Sequence, residues 1–207
     1  MSLFVVFCGI DGAGNSTQSK LLAEFLRGRG YNVLLTKEPT ESSIGKIIRS
    51  MLQKKMKTSP VALQLLFTAD RAHHLYSEIE PALKEEKIVI SDRYMFSTIA
   101  FGGLDVDTDF LKQINSKFRI PDITFIIDVP SEVSLERIKK SRSSELELFE
   151  EIEKSKRIRE NYLQLKDQFP NVNIINGDRP IEAVAAEIQK IVLGKLKSKS
   201  VKKVRVC

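Results

Sequence analysis

Long hydrophobic runs are absent from this 207-residue chain. None approaches the roughly 18 residues that a bilayer-spanning helix needs. The N-terminus has no basic region followed by a cleavable apolar segment, so a cytoplasmic protein with no membrane partner is expected. Cysteine is scarce, with Cys8 in a strand-like apolar run and Cys207 at the last position. Two such residues make poor disulfide partners, which points to a reduced compartment. No internal repeat or low-complexity block is present. Acid is missing from the stretch Gly194 to Cys207, which carries Lys195, Lys197, Lys199, Lys202, Lys203 and Arg205. Without those six cations the net charge of +6 disappears. The basicity therefore belongs to the end of the chain, which reads as a solvated, frayed tail rather than a nucleic-acid-binding device.

What is present fits one globular domain, with 42% apolar and 29% charged residues. Apolar strand-length segments fall at 4–8, 31–36, 87–91, 122–128 and 172–176. Helical periodicity lies between them. Leu21, Leu22, Phe25 and Leu26 form the first stripe, which Gly28 and Gly30 end. Further helices are predicted over 43–54, over 60–84 with a break at Pro81, over 95–101 and over 108–118. Another runs over 131–168, interrupted by a charged, serine-containing break near 139–146. A last helix starts near Pro180. Strict alternation of strand and helix predicts an α/β fold, a doubly wound five-stranded parallel sheet flanked by helices. In such a sheet ligands bind at the carboxyl ends of the strands, and Asp11, Glu38, Asp92 and Arg93 each follow a strand. The domain is expected to span 1–193, with a short lid at about 139–148 and the basic tail over 194–207.

The strongest motif is Gly9-Ile10-Asp11-Gly12-Ala13-Gly14-Asn15-Ser16-Thr17. It follows a strand and opens a helix, in the layout of the phosphate-binding P-loop G-x-x-x-x-G-K-[ST]. Glycines let backbone N–H groups converge on a phosphate, and the helix start adds unpaired N–H groups and the positive end of its dipole. Gly9, Gly14 and Ser16 are in register, and Ser16 is placed to ligate Mg²⁺. Position 15, however, is Asn15 where the motif has lysine. Asparagine donates a hydrogen bond but carries no charge. Losing one preorganised donor elsewhere costs a factor of about 10²–10³ in rate.

Two further constellations stand out. In Asp92-Arg93-Tyr94 a strand-end carboxylate can hold Mg²⁺ and a guanidinium can pair bidentately with phosphate; a structural ion pair is the alternative. In Leu66-Phe67-Thr68-Ala69-Asp70-Arg71, Phe67 and Arg71 share a helix face, as a nucleobase pocket or as core.

Together these segments resemble the thymidylate kinases, P-loop nucleoside monophosphate kinases that phosphorylate dTMP. The matching motifs are Gly9-Ile10-Asp11-Gly12-x-Gly14, Glu38-Pro39, Leu66-Phe67-x-Ala69-Asp70-Arg71-Ala72, and Asp92-Arg93-Tyr94 followed by Ser97 and Ala100-Phe101. Pro121-Asp122, Arg159-x-x-Tyr162 and Ile181-Glu182-Ala183-Val184 continue the match to about residue 192. The resemblance implies a P-loop kinase fold with ATP and Mg²⁺, dTMP as acceptor, and a homodimer. It implies that the loop residues Gly9, Asp11, Gly12, Ala13, Gly14, Asn15, Ser16 and Thr17 cradle ATP, with Asn176 to Arg179 near adenine. Phe67 would stack on thymine and Arg71 would hydrogen-bond its carbonyl. Ser97 would line the base pocket, Asp11 would approach the 3′-hydroxyl, Arg93 the dTMP phosphate, and Phe101 would crowd the 2′ position. Glu38 and Asp92 would orient Mg²⁺ and its water, and Lys139, Lys140 and Arg142 of the lid would close over the ATP phosphates. The family usually carries glutamate at Cys8 and lysine at Asn15. That double departure leaves open a kinase helped by lid or loop lysines such as Lys37, a nucleotide-binding relative with little activity, or a kinase for another nucleoside monophosphate.

Overall fold

In the computed structural model, which describes residues 2–139 and 148–204, β1 (Leu3–Cys8) lies at the centre of a five-stranded parallel sheet. All six of its residues are buried, as a continuous apolar run covered on both faces requires. The strand order is β2 (Val33–Lys37), β3 (Ile88–Asp92), β1, β4 (Ile123–Asp128), β5 (Val172–Asn176). Chain order reverses beside β1, whose Val5 lies in register with Ile90 of β3 and Ile123 of β4. The residues beyond Cys8 and beyond Asp92 therefore emerge side by side at this switch point.

The helices follow the predicted alternation: α1 (Asn15–Arg27), α2 (Ser43–Leu52), α3 (Pro60–His74), α4 (Glu80–Lys84), α5 (Met95–Gly102), α6 (Thr108–Asn115), α7 (Ser131–Lys139), α8 (Leu148–Gln168) and α9 (Ile181–Val204). The helical stretch expected from Pro60 to Lys84 with a break at Pro81 is instead divided slightly earlier, by a wide π-helical turn over Leu75–Ile79. The turn sits immediately ahead of Pro81, which has no N–H for the preceding helix and whose ring crowds it. α2 and α6 end two or three residues short of their predicted limits, at Leu52 and Asn115.

The predicted frayed tail differs from the structure over its first part. α9 continues through Gly194 to Val204, Leu196 is buried, and Lys199 Nζ donates to the Ser2 carbonyl at 3.1 Å and pairs with Asp122 at 2.7 Å. The apolar period of the helix simply runs past the point where the charge begins. Most of the predicted lid, including Lys140 and Arg142, lies outside the described residues.

Candidate active site

The loop from Gly9 to Gly14 turns the chain from β1 into α1. Gly14, at φ 104°, is the residue that caps α1, and no side chain caps the first turn, which also contains no acid. Its opening N–H groups are thus left for an anion. Gly12, at φ 78°, tolerates no side chain: a Cβ there would stand 2.5 Å from the Ser134 carbonyl and 3.0 Å from Ile138. Helix α7 closes directly onto the loop at that point. The Ser134 hydroxyl donates to the Asp11 carbonyl at 2.5 Å, and Arg137 donates to the carbonyls of Ala13 at 3.4 Å and Gly177 at 3.1 Å.

This loop walls a cavity of about 670 Å³. Asp11, Gly12, Ala13, Gly14, Asn15, Ser16 and Thr17 line it, with Asp92 and Arg93 at one end and Arg137, Gly177 and Arg179 toward the other. Arg137 was not singled out from sequence; its signal was its place two residues before the predicted lid. Ser16 donates a hydrogen bond from its hydroxyl to Asp92 Oδ2. A hydroxyl and a carboxylate at this spot suit a hard cation that takes most of its oxygens from phosphates and water, as Mg²⁺ does. No group of three or more His, Cys, Asp or Glu side chains that could cage a metal occurs among the described residues.

A second cavity, of about 280 Å³, adjoins the first. It gathers every residue expected to hold the acceptor: Asp11, Glu38, Phe67, Arg71, Arg93, Ser97 and Phe101. Two residues, Asp11 and Arg93, line both cavities. Arg93 Nη2 donates to Asp11 Oδ1 at 2.6 Å, Nη1 donates to the Gly9 carbonyl at 3.0 Å, and the guanidinium lies 5.0 Å from the Phe101 ring centre. Its backbone is left-handed, at φ 72°, a conformation that costs an arginine about 1–2 kcal/mol. Burial disfavours its charge, yet Tyr162, Asp11, Asp92 and Cys8 together hold the guanidinium above its ordinary pKa.

Several expected roles meet a different geometry. The Glu38 side chain is not brought to Ser16 and Asp92. It is buried, with Oε2 accepting from Arg71 Nε at 3.0 Å and Nη2 at 2.7 Å, and Oε1 facing His74 Nδ1 at 3.2 Å. Arg71 is only 1% exposed. Beyond Glu38, it donates to Thr98 Oγ1 from both terminal nitrogens at 3.1 Å, and to Asn115 Oδ1 at 2.5 Å. All five of its N–H groups have protein acceptors. Asn15 is 4% exposed and folded beneath the loop, with Nδ2 pointing at the Gly9 carbonyl 3.4 Å away and Oδ1 unpartnered. Gly9 lies under the loop rather than in the large cavity. Lys139, exposed at the end of α7, lines neither cavity, and Arg142 lies outside the described residues. Cys8 is sealed in β1, and burial pushes its thiol up to about 12, which removes it as a redox group.

The chain matches the Thymidylate kinase family model over residues 7–188. It is 41% identical over 201 residues to a probable thymidylate kinase of Thermococcus gammatolerans, covering 93% of this chain and 96% of that one. It is 43% identical over 195 residues to a probable thymidylate kinase of Pyrococcus horikoshii, covering 91% and 95%. A putative thymidylate kinase of Treponema pallidum is 42% identical over 161 residues, or 77% of this chain and 76% of that protein. Identity sustained over nine-tenths of both chains, on a fold whose two cavities meet at the Asp11–Arg93 pair, establishes that this chain belongs to the thymidylate kinase family.

Proposed function

We propose that the protein transfers the γ-phosphoryl group of ATP to dTMP in the cytoplasm. The observation that carries this is the shared wall: the P-loop cavity and the acceptor cavity touch only through Asp11 and Arg93 among their lining residues. A phosphate held in each would face the other across Arg93, the geometry in-line transfer requires. Arg93 supplies fixed positive charge where charge develops. Asp11 holds that guanidinium and stands where a sugar hydroxyl would approach. Phe67 and Phe101 provide apolar walls for base and deoxyribose. The opening N–H groups of α1 receive the ATP phosphates, and Arg137, Arg179, Ile181 and Val184 border the adenine end. Ser16 and Asp92 would hold Mg²⁺, which neutralises the β- and γ-phosphates when bound.

A second reading, a nucleotide-binding relative of low turnover, is favoured by the neutral Asn15. A coupled ADP-release assay with dTMP separates the two. The parent is expected to show turnover, and Asn15→Lys to raise it by about 10²–10³-fold, the worth of a single preorganised donor. Activity confined to the lysine variant would overturn the kinase reading for the parent.

We also read the functional unit as a homodimer. Support comes from the outward faces of α2 and α3, where Ile47, Leu52, Val61 and Leu65 are large apolar residues left exposed.

A further inference from the structure

Asn15 leaves the phosphate loop without the ammonium that its motif brings to the β- and γ-phosphates. The cations lining the ATP cavity are Arg93, Arg137 and Arg179, and each is engaged. Arg93 is held by Asp11 and the Gly9 carbonyl, Arg137 by the carbonyls of Ala13 and Gly177, and Arg179 by Glu187 and the Asn176 carbonyl. Among the described residues no lysine lines that cavity.

A third cavity, of about 510 Å³, meets the ATP cavity from another side. Ser16 and Asp92 are the two residues that line both, so the corner that suits Mg²⁺ and the phosphates opens into it. Lys20 and Lys37 line this third cavity, with Glu41 and Glu78. Lys20 follows Ser16 by one turn of α1, away from the opening N–H groups. Lys37 is the last residue of β2 and lies in register with Asp92 of β3. Neighbouring strands run about 5 Å apart, and the Glu38 N–H donates to the Asp92 carbonyl at 3.0 Å. The backbone that carries Lys37 is therefore fixed one strand's width from Asp92, at the carboxyl ends where ligands bind.

The ammonium itself is held lightly. Its Nζ pairs with Glu41 Oε1 at 2.9 Å, in a contact whose side chains are 59% and 69% exposed. A solvated pair of this kind contributes little. Glu41 has a second cation in Arg49, whose Nη2 reaches Oε2 at 2.9 Å while Nη1 donates to the Pro39 carbonyl at 3.0 Å. When Lys37 leaves, Glu41 keeps a partner. A phosphate beside Asp92 offers the ammonium a stronger charge-assisted contact.

Building on the phosphoryl-transfer reading, we propose that Lys37 is a catalytic residue that stands in for the missing loop lysine: when ATP binds, its Nζ passes from Glu41 to the γ-phosphate beside Ser16 and Asp92. It approaches from β2 rather than from the loop, forms no covalent bond and gives up no proton. Its part is positive charge against the transferring group. Its long, exposed stem has to be ordered first, so it recovers only part of what a preorganised loop lysine supplies, and Asn15→Lys still raises turnover.

The test compares calorimetric binding of MgATP and MgADP, and turnover with dTMP, in the parent, K37M, K37R, K20M, N15K and the N15K/K37M double variant. Binding of dTMP checks the fold, since Lys37 does not line the acceptor cavity. K37M is expected to bind ATP about tenfold or more weakly, the usual worth of a hydrogen bond to a charged group, to bind ADP as the parent does, and to lose turnover by at least a similar factor. K37R should keep most of both. In the N15K background the same substitution should change little, because the loop lysine then holds the charge; a merely structural lysine would be missed equally in both backgrounds. A K37M protein that keeps the parent's ATP-over-ADP preference overturns the assignment. So does a loss of equal size in the two backgrounds, or a loss that K20M shows and K37M does not. A parent whose ATP-over-ADP preference depends on Lys37 but which never phosphorylates dTMP upholds the contact and overturns the kinase reading instead.

Discussion

Cys8 ends the central strand with no exposure, and burial raises its thiol from 9.0 to about 12 although the Ser97 hydroxyl and the Arg93 charge pull it down. Two outcomes follow. In the native protein at pH 8, Cys8 stays unmodified by a thiol reagent and is alkylated only after denaturation, as peptide mass spectrometry would read. Stability also responds at high pH. The proton is held in both states below the ordinary value of 9.0. Above it the unfolded chain releases the proton and the native state does not, so stability falls as pH rises from about 9 toward 12. Cys8→Ser should remove that part of the alkaline decline in a pH series of thermal melts. Asn15, seven residues further along, is likewise turned inward. Cys8 and Asn15, where the resemblance expects glutamate and lysine, thus both lie behind the phosphate loop, while Asp11, Ser16, Asp92 and Arg93 line the cavity on its open side.

At the scale of elements, Asp70 connects α3 to the approach to α2. Its carboxylate accepts from the Thr40 N–H at 2.7 Å, the Thr40 hydroxyl at 2.6 Å and the Ser42 hydroxyl at 3.0 Å. Ser42 is in turn the N-cap of α2, accepting from the Gly45 N–H. One buried carboxylate thus fixes a cap, a turn and the helix that carries Gln64, Phe67 and Arg71. Asp70→Asn places an N–H₂ donor against groups that need an acceptor, and a loss of about 1–3 kcal/mol is expected from the unpaired buried donor, seen as a lowered melting temperature. Because α3 is the wall of the acceptor cavity, dTMP affinity should fall with it while ATP affinity holds. Helix α8 is tied differently: Arg159 grips Asp128 at the end of β4 bidentately, at 2.5 and 2.9 Å, which anchors α8 to the sheet.

For the molecule as a whole, the C-terminal helix completes the core rather than trailing from it. Truncation before Leu196 removes a buried leucine together with the Lys199 contacts to Ser2 and Asp122. Emptying a buried leucine site costs about 2–5 kcal/mol, so a large drop in melting temperature is expected. Truncation after Lys199, which deletes Lys202, Lys203 and Arg205, should leave both stability and dTMP binding intact, as thermal shift with ligand would show. At the same scale, Leu65→Lys puts charge into the apolar face of α2 and α3; if that face carries the proposed homodimer, light scattering is expected to register a dimer for the parent and a monomer for the variant.

The sequence by itself determined the fold class, the strand–loop–helix corner at residues 9–17 and the shared helix face of Phe67 and Arg71. Each of these is written locally: apolar runs of strand length, glycines where the backbone turns left-handed, and helical spacing that sets Phe67 and Arg71 on one face. Which donor reaches which acceptor was decided by tertiary packing. Glu38 and Arg71, 33 residues apart, were legible as site residues, but their mutual pairing exists only because β2 and α3 meet. That pairing spends both groups on each other. Gln64 carried no signal of its own, since a glutamine on a helix usually faces water. Only the assembled structure shows that Gly102, on a different helix, leaves the space its carboxamide fills. Hydrogen-bond saturation is a property of the assembled structure, because it depends on contacts between segments far apart in the chain.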